Sequence, residues 1–436
     1  MNKLAVVLLG CLLGSDWAVA NTEVKYDGSL GCFKKFKEVY QLDWPNPEEI
    51  GYFNKRPRDD NGTPYKTSDQ CGHSSSAANA MTGIRYAHWK PLSNENSLKG
   101  IVVHFNGRTE FIERNIYTYK DLIARGYEVW AFDWRGQGFS KREKNVPKQR
   151  HYIARFDKYV EDAEQIIDQV IKLGEYQGKP KILLAHSMGG QIALRYLMKN
   201  PSVFDKAVMT SPLLGLPMDD YKRLFVQKGN EIKLREGLGT SCVGKIKVLG
   251  VELIEGEKDY WVSNFIPNQT GRNSYACDLA KKPQDISEDH FVDFKVTEKY
   301  SGDLLKNAQI DCLVESSIDS KGQNQPDLPL ACPTSAWLRA AFKSTDYVMK
   351  HYGDLKTPLL IVRALPDTAV DNAGQDTFIY SFKAPQSKTV KMVSIGVSST
   401  ELDPRYHAAT GHEILIEKEN IRTLFFEEFD RFVNQH

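Results

Sequence analysis

Apolar residues recur along this chain in two rhythms that alternate with one another. The first has a period of two. Ile84-Arg85-Tyr86-Ala87-His88-Trp89 alternates in this way, and short apolar runs follow at Ile101 to Phe105, Glu128 to Phe132, Lys181 to Leu184 and Ala207 to Met209. These read as strands. The second rhythm has steps of three and four. Phe156, Val160, Ala163, Ile167 and Val170 keep one helical face apolar, and Gln191 to Lys199 also reads as a helix. Strands that alternate with helices predict an α/β fold, a mostly parallel sheet with helices on both faces. The alternation lapses near Pro212 and resumes at Pro358-Leu359-Leu360-Ile361-Val362. The helical pattern from Ser335 to Tyr352 leads the chain back. A strand at Val390 to Ile395 and a helix at Glu417 to Val433 complete it.

The lapse is too long for a connection inside a compact sheet. It predicts an inserted cap, or lid, over residues 213–334. The sheet domain is then split into a first part at 84–212 and a second part at 335–436. Residues 21–83 are rich in Asn, Asp, Pro, Ser and Lys without clean periodicity, and read as an N-terminal extension packed on the core. A chain of 436 residues has room for a core domain and such additions.

Residues 1–20 read as a signal peptide: one charge at Lys3, an apolar stretch from Leu4 to Gly14, and the small-x-small site Ala18-Val19-Ala20 before Asn21. Leu8-Leu9-Gly10-Cys11 offers a second route, with Cys11 lipidated as the mature N-terminus. Either route implies export from the cytoplasm, to the periplasm, the outer-membrane surface or the medium, with a lipoprotein anchor at Cys11 in the second case. Cys32, Cys71, Cys242, Cys277, Cys312 and Cys332 remain, an even set that fits disulfides in an exported protein. The reading pairs Cys32 with Cys71 and leaves two bridges among the other four.

Charge narrows the function classes. Lys plus Arg is 57 against 56 for Asp plus Glu. A basic footprint for nucleic acid is absent, and strong electrostatic capture of an anionic membrane is not expected. The cysteines lack the close spacing of a zinc site. Neither a metal nor an organic cofactor is implied.

The chemistry centres on Ala185-His186-Ser187-Met188-Gly189-Gly190, between the strand at 181–184 and the helix at 191–199. Strand, sharp turn and helix around a serine form a nucleophile elbow. Backbones approach closely at such a turn, so it needs small flanking residues, and Ala185 and Gly189 supply them. Ser187 is then the nucleophile, and the Met188 N–H points where an oxyanion would form. A serine hydroxyl needs a base, and the base needs an orienting acid. In elbow-bearing sheets the chain order is Ser, acid, His. Asp367 follows the strand at 359–363, with Asp371 as its competitor. His412 follows the last strand and precedes the last helix, with His407 as its competitor. The second oxyanion donor is expected in Asn106-Gly107-Arg108-Thr109-Glu110, after the strand at 101–105, with the Arg108 N–H as candidate. His104 and His186 read as structural.

Together these segments resemble the lysophospholipase and monoglyceride-lipase branch of the serine α/β-hydrolases. The likeness is carried by 106–110, by Asp133-Trp134-Arg135-Gly136-Gln137-Gly138-Phe139-Ser140, by Ile153 to Asp162 and by Ala185 to Gly190. It continues at Asp367 with Val370-Asp371-Asn372 and at Gly411-His412-Glu413-Ile414-Leu415-Ile416-Glu417. It spans roughly Ile84 to Phe432 apart from the cap, and leans toward the bacterial lysophospholipases. The resemblance implies an α/β-hydrolase fold, a triad of Ser187, Asp367 and His412, oxyanion donors at Arg108 and Met188, and no cofactor. It also implies a single-chain lipid ester as substrate, above all a lysophospholipid, met by peripheral contact with a membrane. A monoacylglycerol lipase, a phospholipase A and a general esterase share the same triad. A non-catalytic lipid-binding protein on a hydrolase fold is the alternative from another class. The chain departs from the family pattern in three ways: Asn106 stands where a histidine is usual, the cap is enlarged and carries cysteines, and the N-terminus reads as exported. Head group, acyl length, positional preference, oligomeric state and disulfide pairing stay open at this level.

Overall fold

The computed structural model describes residues 42–53, 83–92, 98–143, 150–216, 333–367, 369–382, 390–396 and 408–435, with shorter pieces at 37–38, 146 and 406 and scattered ones between 227 and 309. The cysteines, His407, residues 1–20 and most of the stretch read as a cap lie outside the described residues. Among the described residues one sheet has eight strands. In chain order these are β1 (Glu49–Phe53), β2 (Ile84–Trp89), β3 (Gly100–Phe105), β4 (Tyr127–Phe132), β5 (Lys181–His186) and β6 (Lys206–Thr210), then β9 (Leu359–Leu365) and β10 (Val390–Gly396). Two short strands between them, β7 (Ile246–Val248) and β8 (Val251–Ile254), pair only with each other. The helices are α1 (Ile116–Ala124), α2 (Asp157–Ile166), α3 (Met188–Lys199), α4 (Ser335–His351), α5 (Asn372–Ser381) and α6 (Glu419–Val433).

The strand order is β1-β2-β4-β3-β5-β6-β9-β10. β1 and β2, and β2 and β4, run antiparallel. Every other neighbour pair is parallel. The chain adds β4 on one side of β3 and β5 on the other, so the order reverses there. In open α/β sheets such a reversal opens a crevice beyond the carboxyl ends of the strands. The loop after β3 and the turn after β5 both emerge into it.

The central strands are mostly apolar on both faces because each face of the sheet has its own core. Along β3, Ile101, Val103 and Phe105 join one core with residues of α2, α3 and α4. Val102 joins the other, with α1 and α6. Leu183 and Ala185 face the first core, and Ile182 and Leu184 the second. A period of two thus survives inside a run that looks uniform. Fully burying each Val, Leu or Ile side chain stabilises the fold by about 1.5–3 kcal/mol. α2 starts where the periodicity places it and continues through one wider turn of π geometry at Ile167–Ile171. α4 begins at Ser335 because Thr334 caps it, its hydroxyl accepting from the Trp337 N–H at 3.2 Å.

β1 lies in the stretch read from sequence as an extension without periodicity. It is an edge strand of the main sheet, paired from Glu49 opposite His88 to Phe53 opposite Ile84. Leu42 and Trp44 just before it are buried in the second core. Five residues interrupted by Gly51 carry too little alternation to stand out. Gly51 lets the Tyr86 ring pack against the strand, since a Cβ there would lie 2.5 Å from the Tyr86 hydroxyl.

The chain leaves the main sheet after Thr210 and rejoins it at Leu359 by way of α4. Side chains of this stretch tie it to the rest of the structure. Lys306 Nζ donates to the Glu417 carbonyl at 2.8 Å, Asn230 Nδ2 donates to the Ser335 carbonyl at 2.8 Å, and Gln309 accepts from the Tyr117 hydroxyl.

Candidate active site

Ser187 stands at the turn between β5 and α3, with φ 50° and ψ −118°. A non-glycine residue there is strained, and persists only where its surroundings hold it. Four backbone hydrogen bonds do so. The Ser187 N–H donates to the Thr210 carbonyl at 3.0 Å. Its carbonyl accepts from the N–H groups of Gly190 at 2.9 Å, Gln191 at 3.3 Å and Leu213 at 2.9 Å. Gly189 is required by close approach: a Cβ would lie 2.0 Å from the Phe105 carbonyl oxygen and 2.5 Å from that of Asn106. Ala185 is fully buried opposite Phe105 in the sheet register. Ser187 itself keeps 9% of its surface exposed. Met188 opens α3, so its N–H is among the first of the helix, which have no intrahelical acceptor.

The loop after β3 is tied down by buried side chains. The Gly107 N–H donates to Glu110 Oε2 at 2.5 Å, and Asn115 Nδ2 donates to the same oxygen at 3.2 Å. Gln137 Nε2 reaches the carbonyls of Gly107 at 2.8 Å and Glu110 at 2.9 Å. Trp134 Nε1 holds the Asn106 carbonyl at 2.8 Å, and Asn106 Nδ2 holds the Phe132 carbonyl at 3.1 Å. Asn106, the departure from the family pattern, therefore bonds the end of β3 to the end of β4. A Cβ on Gly107 would lie 3.0 Å from the His186 ring, so this loop packs directly on the residue before Ser187. Arg108 follows, half-buried, with its guanidinium 5.5 Å from the centre of the Trp337 ring.

The segment 133–140 explains itself in three dimensions. Asp133 is fully buried and accepts from the N–H groups of Ile112 at 2.8 Å and Phe139 at 2.9 Å. Arg85, also fully buried, bonds Asp133 at 3.2 Å and Glu113 at 2.5 Å. Gly138, at φ 54°, lies against the Asp133 carboxylate with no room for a side chain. Motif likeness marked these residues, but nothing in their spacing assigned them the task of supporting the loop after β3.

Asp367 and His412 meet although they lie 45 positions apart in the chain. His412 Nδ1 is 2.7 Å from Asp367 Oδ2. The other carboxylate oxygen accepts from the N–H groups of Ala369 at 2.8 Å and Val370 at 3.1 Å. Burial raises the pKa of this carboxyl, but the His412 hydrogen bond and charge and the two N–H donors outweigh it, and the net shift is downward. Asp367 is therefore an anion at neutral pH, an acceptor that favours the Nδ1–H form of His412. Asp371 sits elsewhere, at the N-cap of α5, and accepts from the Ala373 N–H at 2.9 Å. The His412 loop is braced by Glu417 Oε1, which accepts from the Gly411 N–H at 2.6 Å, and by an Arg114–Glu413 ion pair at 2.6 Å.

His186 packs between the two halves, its ring centre 4.7 Å from that of His412. Its Nδ1 lies 2.9 Å from the Thr210 hydroxyl. Burial, then the neighbouring His412, push its pKa down to about 3. His104 is likewise pushed to about 3, by burial first and by His186 second, and its Nδ1 lies 2.9 Å from the Tyr119 hydroxyl. Both rings are neutral at pH 7, so neither adds a cation beside His412.

The chain is similar to known proteins along much of its length. The family model Hydrolase_4, described as "Serine aminopeptidase, S33", matches residues 96–309. A probable lysophospholipase L2 of Haemophilus influenzae is 22% identical over 351 residues, covering 80% of this chain and 89% of that protein. Lysophospholipase L2 of Escherichia coli K12 is 24% identical over 340 residues, 77% and 81% of the two chains. Human monoglyceride lipase is 32% identical over 127 residues, 29% of this chain and 38% of that one. A solved soluble variant of monoglyceride lipase from Saccharomyces cerevisiae shares the fold, with a TM-score of 0.52 at 15% identity over 81% of this chain and 92% of that one.

Proposed function

The chain belongs to the serine α/β-hydrolase family of lysophospholipases and monoglyceride lipases and is a lipid ester hydrolase, and from that premise we propose that its substrates are lysophospholipids. Ser187 Oγ attacks the ester carbonyl and His412 takes its proton. The Met188 and Arg108 N–H groups hold the oxyanion, and Asp367 stabilises the imidazolium. The acyl-enzyme that results is cleaved by water activated by His412, which releases the fatty acid. The observation that carries the chemistry is the 2.7 Å contact of His412 Nδ1 with a buried, ionised Asp367 beside the strained turn at Ser187. Substrate class is supported by length. Likeness to the L2 lysophospholipases runs through most of both chains, whereas likeness to human monoglyceride lipase stops at 38% of that enzyme.

The test is fatty-acid release by purified protein from a lysophosphatidylcholine and a monoacylglycerol of equal chain length. Wild type should favour the phospholipid, and Ser187→Ala should lose both activities with its fold intact. Turnover retained in Ser187→Ala would remove this serine from the mechanism. A preference for the neutral ester would move the chain to the monoglyceride-lipase reading. We also propose that the enzyme acts outside the cytoplasm, with residues 1–20 removed and a cap at 213–334 over the site. Intact Met1 on protein recovered from its native cell would overturn export.

A further inference from the structure

On the triad reading above, and independently of any lipid head group, we propose that Asn372 and Gln375 are positioning residues. Their side-chain amides form a chain of hydrogen bonds that fixes the turn of Asp367 to the segment holding the turn of Ser187. Likeness at Val370-Asp371-Asn372 marked this stretch, and the cap that Asp371 places on α5 accounts for only part of it.

At the acid end, the Asp367 carboxylate is occupied by His412 and by the N–H groups of Ala369 and Val370. The backbone N–H of Asp367 donates to Asn372 Oδ1 at 2.9 Å. Asn372 Nδ2 donates to the Ala364 carbonyl at 3.1 Å and to Gln375 Oε1 at 3.1 Å. One amide thus closes the chain between the end of β9 and the start of α5. Its orientation is fixed, because a backbone N–H can meet only its oxygen and a carbonyl only its nitrogen. Asn372 also starts from a rigid base. Arg363, on β9, donates through Nη1 to the Asn372 carbonyl at 3.2 Å and pairs with Asp376 at 2.7 Å.

At the nucleophile end, Gln375 is fully buried on α5, and its Nε2 donates to the Pro212 carbonyl at 3.1 Å. Both neighbours of Pro212 are tied to the site. The Leu213 N–H donates to the Ser187 carbonyl at 2.9 Å. Ser211, at φ 40°, is held against β9: its N–H donates to the Val362 carbonyl at 3.0 Å, and its hydroxyl accepts from the Ala364 N–H at 3.2 Å. Pro212 itself packs on α3, where a Cβ on Gly190 would lie 2.7 Å from the Pro212 Cβ. The acid is therefore joined to the nucleophile by a route that does not pass through His412.

Amides suit this task because each carries a donor and an acceptor. Asp367 donates to Asn372, Asn372 to Gln375 and Gln375 to Pro212, so the bonds run head to tail and polarise one another. A carboxylate at 372 would offer acceptors only and would face the Ala364 carbonyl and Gln375 Oε1 with oxygen. What the chain provides is precision, since a displacement of about 1 Å at a reacting group can cost about 100-fold in rate.

The experiment compares wild type with Gln375→Met, Asn372→Ala and the double variant on a short nitrophenyl ester. Methionine keeps the length of glutamine and removes its donor and acceptor. Active sites are titrated with a fluorophosphonate, so that kcat refers to competent enzyme. In each single variant kcat should fall by about 10- to 100-fold while KM stays within about threefold. The double variant should fall no further than Asn372→Ala, because one chain is broken only once. Lower stability with kcat per site unchanged would overturn the inference and leave both residues as packing for α5. Additive losses would overturn it as well, since they mean two separate braces. Should Asn372→Ala fail to fold, Gln375→Met, which leaves the bonds of Asn372 to Asp367 and Ala364 in place, decides by the same kcat criterion. The second measurement is the downfield proton resonance of His412 Nδ1–H, which Asp367 accepts at 2.7 Å. It should move upfield or broaden away in the variants. This signal needs no substrate. If wild type hydrolysed no ester, the hydrolase reading would fail, and the resonance would still decide the positioning role. An identical resonance in wild type and variants counts against it.

Discussion

The candidate site has two halves, and they are held by different forces. The half built on β3 and β5 contains Ser187 and the loop at 106–110. It is set by backbone sterics: a positive φ at Ser187, a glycine at 189 with no room for a Cβ, and a loop whose carbonyls are clamped by Trp134 and Gln137. The half built on β9 and the loop after β10 contains Asp367 and His412. It is set by side-chain hydrogen bonds, the carboxylate taking two backbone N–H groups and one imidazole. Backbone sterics tolerate no partial failure, since a misplaced carbonyl moves the strand. Hydrogen bonds to a side chain can be weakened one at a time while the chain trace stays put. Damage to the close-packed backbone of the first half should therefore destroy fold and activity together, and damage to the side-chain bonds of the second should separate them.

Gly189→Ala tests the first half and should have the largest effect. The added methyl lies 2.0 Å from the Phe105 carbonyl oxygen, so β3 and α3 must part. Overpacking of this kind typically costs about 1–3 kcal/mol and more where backbone is the obstacle. Thermal unfolding should show a large loss of stability, with hydrolysis at background. A variant that keeps wild-type stability would show that the two backbones have more freedom than this contact implies.

Asp367→Asn tests the second half. The amide can keep the contacts from Ala369 and Val370, but it cannot stabilise an imidazolium. In serine triads this exchange lowers kcat by about 10⁴-fold with geometry preserved. Its control is Asp371→Ala, which removes the cap of α5 and should cost about 1 kcal/mol of stability. Circular dichroism melts and kcat measured side by side read both. Equal kinetic damage from the two variants would erase the difference between a residue that meets His412 and one that caps a helix.

The smallest effect is in the pH dependence of stability. His104, beneath the loop at 106–110, has its pKa lowered to about 3 in the folded protein. Between about pH 6.5 and that value the unfolded chain binds a proton that the folded one refuses, so this group makes stability rise with pH. Its contribution is complete above about pH 6.5 and is lost as the solution is acidified. Asp367, with its pKa lowered, contributes above the unfolded value of about 3.9 and is lost only as pH falls below it, so it adds no slope near pH 6. Buried Glu110 and Glu113, both raised, tilt the curve the other way, so the useful quantity is a difference. Replacing His104 with Asn should make the slope of unfolding free energy between pH 5 and pH 6.5 less positive by up to about 1.4 kcal/mol per pH unit. Parallel curves for variant and wild type would show that His104 is protonated alike in both states.

The two halves were also unequally legible. Small residues around Ser187 between a strand and a helix announce their geometry within six positions, because an elbow is a local object. Asp367 and Asp371 could not be ranked by local geometry, since both follow the same strand and both can end a turn. Their difference is that one meets a residue 45 positions away and the other caps its own helix. The supports of the loop after β3 were hidden for the same reason. Gln137 acts on Gly107 from 30 positions away, and Asp133 orders the chain at Ile112 and Phe139 from opposite sides. β1 was missed because five residues broken by a glycine hold little pattern, and only its partner β2 makes them a strand.

By itself the sequence determined the period of each segment, the strand-turn-helix setting of Ser187, the chain order of the candidate nucleophile, acid and base, and the family likeness. All of these depend on neighbours a few positions apart or on order along the chain. Only the tertiary structure decided that the strand order reverses at β3, that Asp367 rather than Asp371 reaches His412, and that the Arg108 guanidinium rests on Trp337. Those contacts join residues tens to hundreds of positions apart. They exist because packing both faces of one sheet leaves the loops at its carboxyl edge a single shared crevice.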